Sequence, residues 1–329
     1  MKVAICTESI ANYVSGGILC IVKVLNELKK DGHDTCCFLK SPPFISEWIS
    51  SDFPIYPIYE MNNYDGILVS SFSPVSKFVS EAKMASHKFL WLHTLEHLMT
   101  YNGPEWTKQS EDSYKLPLKI FCTSTYLQII LEMIYNRYVI GQLVAPGVDL
   151  DVFKYVKKDF KLPLKVGILM RGDFIRGNDV AWKGFQLAKK DGANIELIIQ
   201  NPTPNREEIV KFYQSIDLFI DMSRLAGSSV VLKEVMATGA VPLTTKYGSQ
   251  DFILNGNNGF IVPVDDYKKL SSILIYLSRP DQNIFLKEIS FNAYRESTNY
   301  SWELVAQRFI KAIEEGIERG DALLEFRKW

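Results

Sequence analysis

No stretch of this 329-residue chain approaches the roughly 18 uninterrupted apolar residues that a membrane-spanning helix needs. Only a short apolar run separates Met1-Lys2 from Glu8, which is not the build of a secretory signal. Charge of one sign is also missing: 37 basic and 38 acidic side chains leave a net −1. A nucleic-acid binder would carry a basic excess or stripe, so that class is set aside. The balance also gives no whole-protein field to hold the chain on an anionic bilayer, which leaves peripheral membrane contact to a local patch. The five cysteines, Cys6, Cys20, Cys36, Cys37 and Cys122, are odd in number and none pairs at metal-ligand spacing. They read as small buried hydrophobes in a reducing, cytoplasmic compartment. The four histidines do not cluster, so no metal site is expected. There is no G-x-G-x-x-G after the first strand and no G-x-S-x-G, which disfavours a nicotinamide enzyme and an α/β-hydrolase.

What is present is alternation. "KVAIC", "DTCCFLK", "YDGILVSS", "KFLWLH" and "LKIFCTS" read as strands, and "ILCIVKVLNELKKDGH" between the first two has helical spacing. A strand–helix–strand unit in one sheet means parallel strands and a right-handed crossover. Near residues 144–165 the pattern breaks into a proline-bearing, mixed-charge linker. A second series follows, with "KVGILM", "IELIIQ", "DLFIDMS", "AVPLTT" and "GFIVPV" as strands. The expectation is α/β: two Rossmann-like, doubly wound domains, 1–147 and 148–303, with an amphipathic helical segment 304–329 after them.

The most informative stretch is "MSRLAGSSVVLKEVMATGAVPLTT". A strand runs into the small residues Ala226, Gly227, Ser228 and Ser229, then into a helix with Glu234 placed two turns in. Amides at a helix N-terminus favour a phosphate or a sugar oxygen, and small residues let the backbone come close. Glu234, if it faces a cleft, can accept both hydroxyls of a ribose; otherwise it is a surface carboxylate.

This stretch resembles the signature of glycosyltransferase family four. Glu234 matches the second of that family's two glutamates and "MATGAVPLTT" its small-residue helix end and strand entry, whereas Ala226 stands where the first glutamate belongs. "SGGILCIVKVLNELKKDGHDTCCF", "VAPGVDLDVF", "IDLFIDMS" and "YSWELVAQRFIKAI" are similar, in the same order, to segments spread over most of the family's length. The resemblance implies the GT-B fold, two such domains facing across a cleft with the last helix returning to the first. It also implies a retaining hexosyltransferase that takes a nucleoside diphosphate sugar, UDP- or GDP-linked, and a glycan or lipid-linked acceptor, with no cofactor or metal. The diphosphate would rest on Arg171 and Lys183, with Arg176 as a rival to Arg171. Gly16, Gly17, Gly227, Ser228, Ser229 and Glu234 would line the donor site. His93 would face the donor sugar, His97 being the fallback. Trp91, Trp106 and Tyr101 either stack on an acceptor sugar or belong to the core. Asp149-Leu-Asp151 spells a metal-binding motif of another glycosyltransferase fold, but here it lies in the linker and reads as turn chemistry. Two rivals stay open: a GT-B nucleotide-sugar epimerase, and a catalytically weak homologue acting as a partner subunit, which Ala226 keeps alive.

Overall fold

The computed structural model describes residues 1–10, 15–41, 49–99, 103–172, 174–203 and 205–324. Tyr101, Asp173, part of the loop after the first strand and the last five residues lie outside these. The chain divides into two compact units: Met1–Pro146 with Trp302–Trp329, and Gly147–Ser301.

Unit one opens with β1 (Lys2–Thr7), α1 (Gly16–Lys30) and β2 (Asp34–Leu39). It continues with β3 (Ile55–Pro57), β4 (Ile67–Ser70), α2 (Ser73–Glu81) and β5 (His87–Leu92). Then come α3 (Pro104–Ser113), β6 (Lys119–Cys122) and α4 (Thr125–Ile134). The sheet order is β3-β2-β1-β4-β5-β6, every pair parallel, with Ile5 between Cys37 and Val69. Five of the six residues in β1 and in β2 are buried, as expected of parallel strands covered on both faces, and this is why the sequence shows apolar runs rather than alternation. All five cysteines are buried and none forms a disulfide among the described residues.

Unit two runs β7 (Leu164–Leu169), α5 (Asn178–Lys190), β8 (Ile195–Gln200), α6 (Arg206–Ser215) and β9 (Leu218–Asp221). It is completed by α7 (Val230–Ala237), β10 (Val241–Thr244), β11 (Phe260–Ile261), α8 (Tyr267–Leu277) and α9 (Asn283–Ser297). Its parallel sheet has the order β11-β10-β9-β7-β8. Strand order therefore reverses between β7 and β9, and the crevice outside the carboxyl ends at such a reversal is where doubly wound sheets take ligands. In unit one the same reversal falls between β1 and β4.

The chain then returns to unit one as α10 (Trp302–Glu318). Its buried residues, Trp302, Val305, Ala306, Phe309, Ala312, Ile313 and Gly316, recur at helical spacing. Phe309 packs edge-on against Trp91 and Phe121, at 5.2 and 5.6 Å between ring centroids. Glu315 accepts the Gly141 and Gln142 amides at 3.0 and 3.2 Å.

Two parallel α/β sheets are thus observed, as the alternation predicts. The three-residue β3 was not anticipated: it is an edge strand, and Pro57 is the kind of residue that hides such a strand from pattern reading. Among the described residues no helix is long and apolar enough to cross a membrane.

Candidate donor site in the second unit

Arg171 follows β7 and Asp221 ends β9, so the two flank the reversal point of unit two. Their side chains meet at 3.4 Å, the arginine partly exposed and the aspartate buried. Asp221 also accepts the Ser223 amide at 3.1 Å and the Ser223 hydroxyl. Arg171 thus keeps donor capacity: its Nε is buried without a hydrogen-bond partner among the described residues.

Glu234 is the fifth residue of α7, just over one turn in rather than two. Only 9% of it is exposed, and among the described residues no group hydrogen-bonds to its carboxylate. Burial pushes its pKa up to about 8; Arg206 opposes the shift, Asp149 adds to it and Arg171 opposes it again. Arg206 and Asp149 face each other at 3.9 Å, and the Arg206 guanidinium lies 5.3 Å from the Phe153 ring centre. Tyr213, fully buried, feels Glu234, Arg171 and Asp221 together. The geometry therefore gathers a carboxyl without a partner, an arginine with spare donors and a second, half-exposed arginine at one end of this unit. Asp149, expected only as turn chemistry, does accept that turn role through its carbonyl, bonded by the Val152 and Phe153 amides, but its carboxylate also acts on Glu234.

Loop 222–229 is clamped from several sides. The Gly177 backbone sits at φ +63, and a Cβ built there would lie 2.0 Å from the Met222 carbonyl oxygen, so only glycine fits. Arg224 is bound by Asp265 at 2.7 Å and Asp179 at 2.9 Å, and it stacks 3.9 Å over Phe174. The Arg224 amide donates to Ile175 at 2.7 Å. The Ser229 amide donates to the Gly248 carbonyl at 2.9 Å, and the Ser229 hydroxyl caps α7 by accepting from Leu232. Ser229 is accordingly consumed by the fold, which corrects the expectation of a ligand-facing amide there. The Gly227 and Ser228 amides donate to no group among the described residues. Lys233, the neighbour of Glu234, is fully buried and donates to the Ser228 hydroxyl at 2.9 Å and the Ser229 carbonyl at 3.2 Å.

Helix α7 ends where Gly239, at φ +86, lets its amide and that of Ala240 return to Met236 and Val235. The resulting sharp stop is what the "ATGAVP" string encodes.

The other expected basic residues, Lys183 and Arg176, are not among the charges that shift Glu234. Lys183 lies exposed in the middle of α5. Its neighbour Gly184 lies against Leu270, allowing α5 to pack on α8. Arg176 is half-buried in the 3-10 turn Phe174–Arg176, next to Gly177.

The remaining expected residues belong to unit one. Gly16 and Gly17 form the first turn of α1, whose N-terminus follows β1. His93 comes just after β5 and packs, tilted, against Trp91 at 4.2 Å between ring centroids; burial holds its pKa down near 3, so the imidazole is neutral, and its Nε2 is buried without a partner among the described residues. His97 is enclosed instead: Tyr114 and Tyr135 hydroxyls meet its two ring nitrogens at 3.2 and 3.4 Å. Trp91 is fully buried with Nε1 bonded to the Val144 carbonyl, which leaves no face for an acceptor sugar. Trp106 packs on Phe72 at 5.0 Å. Glu96, which the sequence did not single out, is buried, accepts the Ser73 amide at 3.0 Å and is pushed by burial to about 7. Asp221, Arg224, Arg206 and Lys233 were missed as well. For Lys233 a signal existed, a charge in the apolar run "VVLKEVMA".

Residues 183–279 match the family model for glycosyl transferases group 1. Curated proteins give no sequence match. Solved structures give many. The chain is similar to HepE from Anabaena in complex with UDP (12% identity, TM-score 0.71, 96% of this chain and 100% of that one). It is also similar to sucrose-phosphate synthase from Thermosynechococcus elongatus (12%, 0.75, 97% and 100%) and to a glycosyltransferase from Rickettsia africae (16%, 0.67, 95% and 98%). HepE has also been solved with UDP-glucose. At such identities the likeness establishes the fold: both units are parallel Rossmann-like sheets that match GT-B glycosyltransferase structures, and the segment that matches the group 1 model lies in the second.

Proposed function

We propose that this protein is a retaining glycosyltransferase that moves a hexose from a nucleoside diphosphate sugar to a hydroxyl of a glycan or lipid-linked acceptor. The observation that carries the reading is Glu234: a buried carboxyl with no hydrogen-bond partner among the described residues, close in charge terms to Arg171, in the segment that matches group 1 glycosyltransferases. A ribose diol would supply the partners it lacks. Arg171 would hold the diphosphate with Lys183, or Arg176 would share that task, and the amides of Gly227 and Ser228 would meet donor oxygens. UDP is favoured over GDP because the similar HepE structures hold UDP and UDP-glucose.

In the reaction, the bond from the anomeric carbon to the phosphate oxygen breaks and the acceptor oxygen bonds to that carbon. The acceptor's proton passes to the departing phosphate on the same face, so the configuration is retained. Fixed cations stabilise the charge that gathers on the diphosphate. Neutral His93 would bond a sugar hydroxyl rather than donate as an imidazolium. The reading includes no divalent metal and a cytoplasmic site of action, with any membrane contact peripheral. Ala226 supports a second reading, a weakly active partner subunit, because the loop side chain there carries no carboxylate.

A thermal-shift screen with UDP, GDP, ADP and CDP sugars, with and without EDTA, tests the proposal. Stabilisation by a UDP sugar, followed by slow release of UDP, is the expected result. Stabilisation without any turnover favours the partner subunit; no stabilisation by any nucleotide sugar ends both readings. Lys183→Glu is expected to abolish the shift, and an unchanged shift would remove Lys183 from the diphosphate site.

A further inference from the structure

A fully buried lysine inside an apolar helix has to be held by specific acceptors, because moving an ammonium out of water is costly. Two of the acceptors of Lys233 lie in the loop that precedes its own helix: the Ser228 hydroxyl at 2.9 Å and the Ser229 carbonyl at 3.2 Å. Its ammonium also rests on two aromatic faces, 4.2 Å from the Phe252 centre and 4.9 Å from that of Tyr300.

The bond to Ser228 has a directional consequence. A hydroxyl carries one hydrogen and two acceptor lone pairs, and an ammonium only donates. Once Ser228 Oγ accepts from Lys233, its own hydrogen must point away from the lysine. Ser228 is partly exposed, and the amides of Gly227 and Ser228 are uncommitted among the described residues. Next to them the Ser229 amide is already committed to Gly248, and the Ser229 hydroxyl accepts from the Leu232 amide as the helix cap.

We propose that Lys233 is a positioning residue that turns the Ser228 hydroxyl hydrogen outward, so that it joins the amides of Gly227 and Ser228 as a third donor for an oxyanion of the donor substrate. An oxyanion only accepts and gains charge-assisted bonds from all three donors, so it is matched better than a neutral sugar hydroxyl, which must also place its own hydrogen. The proposal rests on the nucleotide-sugar reading above. Two groups of a donor have this chemistry, the diphosphate and an acidic sugar's carboxylate.

The test is calorimetric titration of the full chain with UDP, UDP-glucose and UDP-glucuronate, comparing wild type, Lys233→Met, Ser228→Ala and the double variant. Each single change is expected to weaken binding by about tenfold, the worth of one charge-assisted hydrogen bond, and the double variant no further than Ser228→Ala alone. Equal losses for all three ligands assign the contact to the diphosphate; a loss confined to UDP-glucuronate assigns it to a sugar carboxylate. Ser228→Ala changes a partly exposed side chain and keeps the test open if Lys233→Met does not fold: unchanged affinity in Ser228→Ala overturns the proposal. Additive losses in the double variant overturn it too, because a merely structural lysine would not act through Ser228. If wild type binds no nucleotide at all, the function proposed above fails as well; binding that the variants leave untouched refutes this inference alone.

Discussion

A glutamate held near pKa 8 is protonated in neutral solution, so the ligand-free Glu234 is a hydrogen-bond donor as much as an acceptor. Ribose hydroxyls that donate to it favour the ionised form. Binding should therefore release a proton, and affinity should rise with pH up to about 8, by at most about tenfold per unit. Titration in buffers of different ionisation heat measures that proton directly. Glu234→Gln should remove the pH dependence and weaken UDP binding roughly tenfold or more above pH 8, through loss of charged hydrogen bonds. Stability carries the opposite sign. The folded pKa lies above the reference 4.5, so the buried, protonated side chain stabilises the fold fully below about pH 4.5, and that contribution fades as pH rises through about 8. Denaturant melts of the ligand-free chain should show Glu234→Gln gaining on wild type between pH 6 and 8.5; Glu96, near 7 in unit one, titrates with the same sign and somewhat earlier.

At the scale of elements, loop 222–229 owes its shape to neighbours more than to its own sequence. Gly177 is the sharpest case, because a methyl group there meets the Met222 carbonyl and a backbone at φ +63. Gly177→Ala should cost more than about 1 kcal/mol in a denaturant melt and weaken UDP binding as the loop shifts. A melt unchanged from wild type would mean that the turn yields freely. This element also shows how far pattern reading reaches. The strand, small-residue loop, helix and Gly-Ala-Val-Pro exit were all legible, since each has a local signature. The Arg171–Asp221 pair was not: its members are 50 residues apart and meet only because strand order reverses between β7 and β9. Arg224 was hidden for the same reason, its partners Asp179 and Asp265 lying 45 residues before it and 41 after. Ser229 misled because a local pattern shows that an amide stands at a helix start, not that Gly248 has already claimed it.

For the whole molecule, the division into units is uneven along the chain. Unit two is one continuous stretch, whereas unit one needs α10 to cover Trp91 and Phe121. Phe309 is fully buried, and Phe309→Ala should remove about 3–5 kcal/mol from unit one, enough to read as a lowered first transition in calorimetry. A UDP sugar at a hundredfold excess over its dissociation constant should raise the stability of the state that binds it by about 2.7 kcal/mol. If that gain survives in Phe309→Ala, the donor contacts lie where unit two places them.

Because a chain is made from its amino end, this interrupted layout also sets a timetable. The sheet of unit one emerges first, yet its aromatic face around Trp91 waits for a helix that begins at Trp302. Unit two, finishing at Ser301, can close while its elder neighbour is still open. During translation the exposed Phe89, Trp91 and Phe121 would be the surface that a chaperone finds, and slowing the ribosome before residue 302 should lengthen that encounter.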